Sequence, residues 1–348
     1  MFLKWLMIIS FLANIMNPVN DIQHKEVDLK TENGLQSIHV LQVDSSNPFI
    51  DIKPVLSHDQ VFGFETVSAM ALRHKAIAAV NGGFFYNCGQ PVGMVMVNGN
   101  LITAPEGITP VFAITETGKP YIGNIELKII CKIRGISFPV DGINRLPKGE
   151  EIILYTQDYG YSTRVNKQAT NFIIKEHRLE KIICSNKPVR IPPESKVLVI
   201  TDGPKKDLTK NHLEIGDNIE FEFFIKPSFK IRHALQIGPW LVKNGRVVVE
   251  NWEPIIGVTN VAAPRTALGI TGEGKVIFVT VDGRQKHSRG MTLKQLAEYM
   301  IQLGVKNGAA LDGGASTTFY YNGKVVNRPS LGHERMVGGS ICVVFPGK

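Results

Sequence analysis

The chain has 348 residues, of which 43% are hydrophobic and 20% are charged, a composition that is ordinary for a globular protein and excludes bulk disorder. Thirty-nine Lys+Arg against 31 Asp+Glu give a net charge of +8. This excess indicates either a merely soluble surface or an affinity for anionic ligands, such as phosphate-bearing polymers or a membrane surface. No run of basic residues with interleaved aromatics is present, so no nucleic acid partner is expected.

The first residues, MFLKWLMIISFLANIMNPVND, have the pattern of an export signal. Lys4 supplies a positive charge at the start, and a short apolar stretch runs from Leu3 to Met16. A membrane-spanning helix needs roughly 20 apolar residues, so a signal peptide fits this stretch better. We predict that residues 1–25 are a signal peptide or an uncleaved anchor that attaches the chain to a membrane, with a buried N-terminal helix as a further alternative. Either of the first two makes the protein secreted or associated with the cell envelope.

Residues 26–348 are predicted to form a single domain. Apolar runs of strand length open it, in SIHVLQVD (37–44) and FIDIKPVL (49–56), and both are typical of β-strands. The segment ETVSAMALRHKA (65–76) has the spacing of a helix. The side of that helix expected to be apolar carries Val67, Met70, Ala71 and His74.

A buried strand, AIAAV, then ends in a glycine turn that begins at Asn81. Asn-Gly pairs predict β-hairpins over residues 94–102 and 238–250. The section between them, about 124–235, is rich in short β-like runs that are punctuated by proline and glycine. No convincing linker separates it from either side.

Residues 265–292 predict a strand, a turn, a second strand and a polar loop. The clearest helix follows over 291–304, where Thr292 caps the start with Gln295 three residues later and Gly304 ends it. A buried strand and turn, NGAALDGG, come next. Strands dominate and hairpins outnumber crossovers, so we predict an α+β fold with a mainly antiparallel, curved β-sheet packed around one or two helices.

The four cysteines are Cys88, Cys131, Cys184 and Cys342. None belongs to a C-x-x-C pair, so no zinc cluster is expected. In an exported protein they could form disulfides in any of three pairings. The alternative is that Cys131, Cys184 and Cys342 are small apolar residues of strands, with Cys88 in a loop.

Four stretches place a polar residue at a strand end, three of them beside glycine: Asn81-Gly82-Gly83, Arg265-Thr266, Asp282-Gly283-Arg284 and Asp312-Gly313-Gly314. Glycine permits positive φ and lets a ligand approach the backbone closely. The strand ends could therefore converge on one pocket. They could equally be independent turns, because Asp-Gly and Asn-Gly are common turn pairs.

The residue types at these strand ends suit an anionic, sugar-like ligand. Arg265 and Arg284 could clamp an anionic group, because guanidinium matches phosphate and carboxylate oxygens, or could be surface arginines. Asp282 and Asp312 could be the carboxylate pair of a glycoside hydrolase, or could cap turns. The hydroxyl run 316–318 could donate hydrogen bonds to phosphate, or could simply begin a strand.

Other catalytic motifs are absent from the sequence. GITGEGKV (269–276) nearly matches a P-loop, but Val276 replaces the Ser/Thr that would hold magnesium. His287 and His333 lie near the glycine-rich segments and could act as acid or base, or could be solvated loop histidines. We expect no cofactor and no metal site; a divalent cation is compatible with the sequence, but nothing in it indicates one.

Six segments in order resemble the phosphodiester glycosidase family: AIAAVNGGFF, PVGMVMVNGNLI, PRTALGI, VTVDGR, GAALDGGASTTFYYNGKVVNRPS and ERMVGGSICVVF. The resemblance covers roughly residues 35–345. Its specific parts are 76–102 and 262–345, whereas the middle is weak. Two positions depart from the family pattern: Ala315 replaces a third glycine, and Leu331 stands where an acidic residue is expected.

The resemblance implies a hydrolase that removes a sugar from a sugar-phosphate diester, with a phosphate-linked carbohydrate of the cell envelope or the exterior as its partner. The alternatives are a non-catalytic binder of anionic cell-surface glycans and a phosphoesterase that cuts the P–O bond. The implied catalytic residues are Asp312, which we prefer as the carboxylate, Asp282, Arg265 and Arg284. The implied substrate-binding residues are Asn81, Gly82, Gly83, Phe84, Thr266, Gly283, Gly313, Gly314, Ser316, Thr317 and Arg335.

Overall fold

The computed structural model of the chain describes residues 21–31, 34–107, 109–203 and 213–345. It has 48% strand and 9% helix, and the described residues contain two α-helices. The protein is therefore predominantly β, and the predicted α+β class is wrong. The sheets are mainly antiparallel, as expected, but helices of seven and ten residues are too short to cover them, so the sheets bury their apolar faces mostly against one another.

The predicted signal segment lies largely outside the described residues. Its last residues, 22–25, belong to the first β-strand, so that end of the segment is part of the folded sheet. Among the residues that the structure describes, no helix is both long enough and apolar enough to cross a bilayer.

The largest sheet is formed by seven strands, and its outer face carries one of the helices. In spatial order the strands are β1 (Ile22–Thr31), β2 (Gly34–Val43), β23 (Val276–Val281), β22 (Arg265–Thr271), β24 (Val305–Ala310), β18 (Trp240–Lys243) and β19 (Arg246–Val247).

A second sheet of five strands carries the glycine turn that follows AIAAV. Its strands in spatial order are β26 (Lys324–Val325), β25 (Phe319–Tyr321), β4 (Ala78–Asn81), β27 (Gly339–Val344) and β3 (Asp51–Leu56). A third sheet contains the first predicted hairpin; its strands in order are β6 (Asn100–Thr103), β5 (Val95–Val97), β17 (Ile231–Gln236), β7 (Val111–Thr115) and β8 (Pro120–Gly123).

The β-rich middle of the chain forms two further sheets around a shared apolar cluster. One contains β11 (Gly142–Ile143), β12 (Ile152–Tyr155), β15 (Ser195–Thr201), β13 (Ala169–Lys175) and β14 (Arg178–Ser185). The other contains β10 (Ile136–Val140), β9 (Glu126–Ile133) and β16 (Ile219–Lys226). A small ribbon pairs β20 (Trp252–Glu253) with β21 (Gly257–Val258).

Both predicted helices are confirmed. Helix α1 (Val67–Arg73) is capped by the Thr66 hydroxyl and packs on the second sheet, burying Val67, Met70 and Ala71. Helix α2 (Leu293–Gln302) starts with the predicted capping box between Thr292 and Gln295, in which each side chain bonds the other's backbone N–H. Its apolar face covers the seven-stranded sheet.

Both Asn-Gly hairpins are also confirmed. Asn98 and Gly99 have φ of 50° and 76°, and Asn244 and Gly245 have φ of 52° and 74°. Positive φ at both central residues defines the type I′ turn, whose twist matches that of the flanking strands. This is why a two-residue signal fixed the pairing of β5 with β6 and of β18 with β19.

All four cysteines are free thiols. Cys131 and Cys342 are buried among apolar side chains, as expected for small apolar strand residues, whereas Cys184 is exposed on β14 and Cys88 is exposed in its loop. Burial raises the pKa of the Cys131 thiol to about 12, so this thiol is inert at neutral pH.

One buried side chain joins the first two sheets. Asn81, the last residue of β4, donates from Nδ2 to the backbone oxygen of Asp312, 2.6 Å away. Its Oδ1 accepts from the Thr266 hydroxyl at 2.7 Å and from the Thr318 N–H at 3.3 Å. Because a buried amide must be satisfied, these bonds fix the end of β4 against β22 and the segment after β24.

We therefore expect Thr266→Val to lower the free energy of unfolding by about 1 kcal/mol, since Asn81 loses one hydrogen-bond partner in the interior. Thr280→Val is the matched control. Thr280 lies opposite Thr266 on β23, is equally buried, and its hydroxyl has no partner among the described residues, so valine should be neutral or slightly stabilising there. Denaturant unfolding of both variants measures this. Equal decreases in the free energy of unfolding would contradict the proposed contribution of the Asn81 hydrogen bonds to stability.

Candidate active site

Three of the four polar strand ends lie at one edge of the seven-stranded sheet. Arg265 at the start of β22 is paired with Val281 at the end of β23, and Ala267 is paired with Ala310 at the end of β24. The fourth, after β4, is brought to them by Asn81, and the Asp312 N–H donates to the Gly82 oxygen at 3.2 Å. The four stretches therefore lie together and are not independent turns.

Two arginines meet at this edge without a carboxylate partner. The half-buried Arg265 donates from Nε to the Met291 oxygen (2.9 Å) and from Nη2 to the Val261 oxygen (2.6 Å). The exposed Arg284 lies over Gly314, where an added β-carbon would come 3.4 Å from its Nη2 atom. Among the residues that the structure describes, neither guanidinium forms an ion pair.

The electrostatics of the pair are unfavourable for two cations and favourable for an anion. Burial, together with the charge of Arg284, lowers the pKa of Arg265 to about 10. Two backbone carbonyls hold the Arg265 guanidinium in place without neutralising it. A phosphate or carboxylate would relieve the repulsion through charge-assisted hydrogen bonds.

Asp312 is the carboxylate that directly precedes Gly313 and Gly314, the two glycines against the arginines. It follows β24 and is half-buried; its Oδ1 accepts from the Gly313 N–H at 2.8 Å, and it is hydrogen-bonded to Ser316. Burial raises its pKa, while the bonds from Ser316 and Gly313 and the charge of Arg335 offset part of that rise. A buried carboxylate with a raised pKa and a cation facing it is typical of functional sites.

The second predicted carboxylate has a different environment. The Asp282 side chain is 1% exposed and accepts from Asn327 Nδ2 at 3.1 Å, from the Arg328 N–H at 3.0 and 3.1 Å, and from His287 Nε2 at 3.1 Å. These bonds anchor the loop that follows β26. The structure therefore places Asp282 in the scaffold of the site and not on its open side.

The hydroxyls and the asparagine are also interior groups. Ser316 and Thr317 are 0% and 1% exposed, so they do not reach a ligand from the solvent side. Asn81 and Thr266 use their polar atoms on each other and on the backbone. Asn81, Thr266 and Ser316 thus form internal hydrogen bonds, whereas the Thr317 hydroxyl has no partner among the described residues. Contact of these four residues with a substrate stays a prediction.

Backbone packing accounts for several of the predicted glycines. A β-carbon on Gly82, Gly83 or Gly283 would come 2.9 Å from the Gly339 oxygen, 2.7 Å from the Gln236 oxygen and 2.6 Å from the Pro264 nitrogen, respectively. Gly313 and Gly314 instead lie against Arg265 and Arg284, and Gly314 has φ of 61°. Phe84 is half-buried in the loop after β4, where its oxygen accepts from Val92 N–H.

The predicted Arg335 has two neighbours that sequence reasoning missed, Phe85 and Glu334. Arg335 donates to Ser316 Oγ at 3.1 Å and its guanidinium lies 5.5 Å from the centre of the Phe85 ring. Glu334 bonds the start of α1. Phe85 and Glu334 are direct neighbours of predicted residues, but nothing in their spacing distinguishes them from ordinary loop residues.

Two of the cavities of the described structure lie elsewhere. One of about 510 Å³ is lined in part by Leu101, Leu154 and Phe223, and one of about 270 Å³ is lined in part by Lys53 and His74. Neither contains the arginines or Asp312, so cavity size and chemistry point to different places. We place the site by its chemistry, because unpaired charge is more specific than volume. No cluster of three His, Cys, Asp or Glu residues that could hold a metal occurs in the described ranges.

Residues 186–344 match the family model described as phosphodiester glycosidase. The chain is 31% identical over 137 residues to the SPbeta prophage-derived uncharacterized protein YomE of Bacillus subtilis, which covers 38% of this chain and 21% of that protein. It is 35% identical over 102 residues to N-acetylglucosamine-1-phosphodiester alpha-N-acetylglucosaminidase of Mus musculus. This match covers 26% of this chain and 20% of that protein. The matches thus span about a fifth of the length of these relatives.

Three solved structures share the fold. A hypothetical protein from Synechocystis has a TM-score of 0.81 at 20% identity, and the match covers 94% of this chain and 62% of that chain. A candidate exported protein from Burkholderia pseudomallei has a TM-score of 0.72 at 21% identity, with coverages of 89% and 74%. The catalytic domain of the zebrafish N-acetylglucosamine-1-phosphodiester alpha-N-acetylglucosaminidase, auto-inhibited by its pro-peptide, has a TM-score of 0.53 at 19% identity, with coverages of 93% and 82%.

The raised pKa of Asp312 predicts that its charge costs stability. Folding favours the protonated form of Asp312. Its contribution to the free energy of unfolding is therefore fully present below the ordinary carboxyl pKa of 3.8, and it is lost as the pH rises through the raised pKa of the folded protein. Asp312→Asn should therefore unfold at higher denaturant than wild type at neutral pH, and this advantage should shrink as the pH falls.

Asp282→Asn is the control, because Asp282 is a buried carboxylate that accepts bonds from three donor groups. It should be less stable than wild type at neutral pH. Denaturation midpoints across a pH series compare the two variants, and an Asp312→Asn protein that is destabilised at neutral pH would contradict the assignment.

Proposed function

The chain resembles the phosphodiester glycosidase family, as the family model over residues 186–344 confirms, and from this premise we propose that it is a hydrolase that removes a sugar from a sugar-phosphate diester. The observation that carries the proposal is that two unpaired guanidiniums, Arg265 and Arg284, meet against Gly313 and Gly314, the two residues that follow Asp312. Cations suit the phosphate of such a substrate, and a carboxylate suits the sugar carbon.

In the proposed reaction, water adds its oxygen to C1 of the sugar while the bond from C1 to the phosphate oxygen breaks. The products are the free sugar and a phosphate monoester, and the proton that water loses is taken by a base. A phosphate monoester is already a good leaving group, so strong protonation by a general acid is less necessary than in ordinary glycoside hydrolysis. The site mainly needs positive charge at the phosphate and one carboxylate near C1.

Arg265 and Arg284 would supply that positive charge. As the C1–O bond breaks, negative charge grows on the departing phosphate, and preorganised donors aimed at growing charge stabilise a transition state strongly. The Arg265 guanidinium is preorganised, because the oxygens of Met291 and Val261 hold it. Arg284 is exposed and would close on the phosphate from the solvent side.

Asp312 would act at C1, either by taking the proton of the attacking water or by attacking the carbon directly. Both roles need the ionised form. Because burial raises its pKa, the acid limb of turnover should lie above the ordinary carboxyl range, with activity lost as the pH falls through it.

The substrate we propose is a phosphate-linked carbohydrate of the cell envelope or the exterior. The export-signal pattern of residues 1–25 and the likeness to a candidate exported protein support that location. Attachment of the chain to a membrane through its N-terminus remains part of this proposal.

Arg284→Ala is expected to lower turnover about a hundredfold or more, since loss of one donor to a developing anion costs roughly 2–4 kcal/mol of barrier. The melting temperature should stay nearly unchanged, because Arg284 is exposed. Arg246→Ala, which removes an exposed arginine from β19 at the far edge of the same sheet, is the matched control and should keep full activity. Wild-type turnover in Arg284→Ala would remove this arginine from the site.

Hydrolysis in oxygen-18 water, with a synthetic sugar-1-phosphodiester as substrate, distinguishes the three candidate functions. Cleavage at C–O predicts that the label appears in the freed sugar. Label in the phosphate would instead identify a phosphoesterase. Binding without turnover, unaffected by Asp312→Asn, would identify a non-catalytic glycan binder.

A further inference from the structure

The segment of residues 328–337 crosses the site between two anchors. At one end, the Arg328 N–H donates to the buried carboxylate of Asp282. At the other, Val337 and Glu65 exchange backbone hydrogen bonds of 2.9 and 3.1 Å. Between these anchors the segment carries Glu334 and Arg335.

Glu334 ties the middle of this segment to helix α1. Its Oε2 accepts from the Ser68 N–H at 3.0 Å, and its Oε1 accepts from the Ser68 hydroxyl. The following backbone N–H of the helix, that of Ala69, donates to the Thr66 hydroxyl. Glu334 therefore completes the cap of α1 and, in return, is held in a fixed position.

The residue that follows reaches the candidate active site. Arg335 donates from Nη1 to Ser316 Oγ at 3.1 Å, and its guanidinium lies over Phe85. Because the Ser316 oxygen accepts from Arg335, its hydroxyl hydrogen is left to donate to Asp312, to which Ser316 is hydrogen-bonded. A continuous set of contacts thus runs from α1 to the carboxylate.

We propose that Glu334 is a positioning residue: by clamping the 328–337 segment to α1, it holds Arg335 on Ser316 and so fixes the Asp312 carboxylate. The inference rests on the proposed function, in which Asp312 acts at C1. It assigns Arg335 and Ser316 to the orientation of Asp312 and not to contact with the sugar.

The charged groups around Asp312 make the effect measurable. Arg335 faces it from the 328–337 segment, and Arg265 and Arg284 lie beside the adjoining residues 313 and 314. Asp282 is hydrogen-bonded to its own donors in the scaffold. Release of Arg335 removes a positive charge and frees the Ser316 hydroxyl to turn away. Both of these groups lower the pKa of Asp312, so their loss raises it further.

Glu334→Ala should therefore shift the acid limb of turnover to higher pH and lower kcat/KM at neutral pH about tenfold, as misplaced catalytic groups do. Glu334→Gln should restore most of both, because its amide oxygen can still accept from the Ser68 N–H. Thr66→Ala is the matched control: it removes the other cap of α1 and should lower the melting temperature comparably, but should leave the acid limb in place.

The double variant Glu334→Ala/Arg335→Ala should be no worse than Arg335→Ala alone, because Glu334 acts through Arg335. A Glu334→Ala protein with a lowered melting temperature but an unshifted limb would overturn the inference, as would an additive double variant. If Asp312→Asn itself retained turnover, the proposed function would fail and this inference with it. An inactive Asp312→Asn alongside an unaffected Glu334→Ala would overturn the inference alone.

Discussion

The Asn81 side chain is the joint on which the arrangement of the site depends. Its amide is the point at which β4 of one sheet, β22 of another and the segment carrying Asp312 are held within hydrogen-bond distance. Since the amide is buried and fully bonded, any relative shift of the two sheets would leave a polar group unsatisfied in the interior. Arg265 and Asp312 are therefore held at packed strand ends, whereas Arg284 lies in the exposed loop after β23.

The polar groups around Asn81 are of two kinds: those stabilised by hydrogen bonds to the protein, and those whose charged forms the folded protein disfavours. Asp282, Thr266 and Ser316 form hydrogen bonds with neighbouring protein groups. Arg265 and Asp312 instead have pKa values shifted against their charged forms. Charges that the folded protein disfavours are costly, and such costs are usual at sites that bind or transform a ligand.

Local features could be predicted from the sequence because they have local causes. The Asn-Gly turns and the Thr292–Gln295 capping box depend on residues within a few positions of one another, and all are present. The fold class was wrong because it depends on how many sheets share one core, and pairings such as that of β2 with β23 span most of the chain. Likewise, the sequence placed Asp282 and Asp312 alike, whereas their burial and partners separate them.

A crystal structure of the protein with a bound sugar 1-phosphate would show whether the two arginines hold the phosphate. We expect phosphate oxygens within hydrogen-bond distance of both the Arg265 and Arg284 guanidiniums, with C1 of the sugar facing the Asp312 carboxylate. A ligand that instead occupies the 510 Å³ cavity beside Phe223, with the two arginines left unliganded, would contradict it.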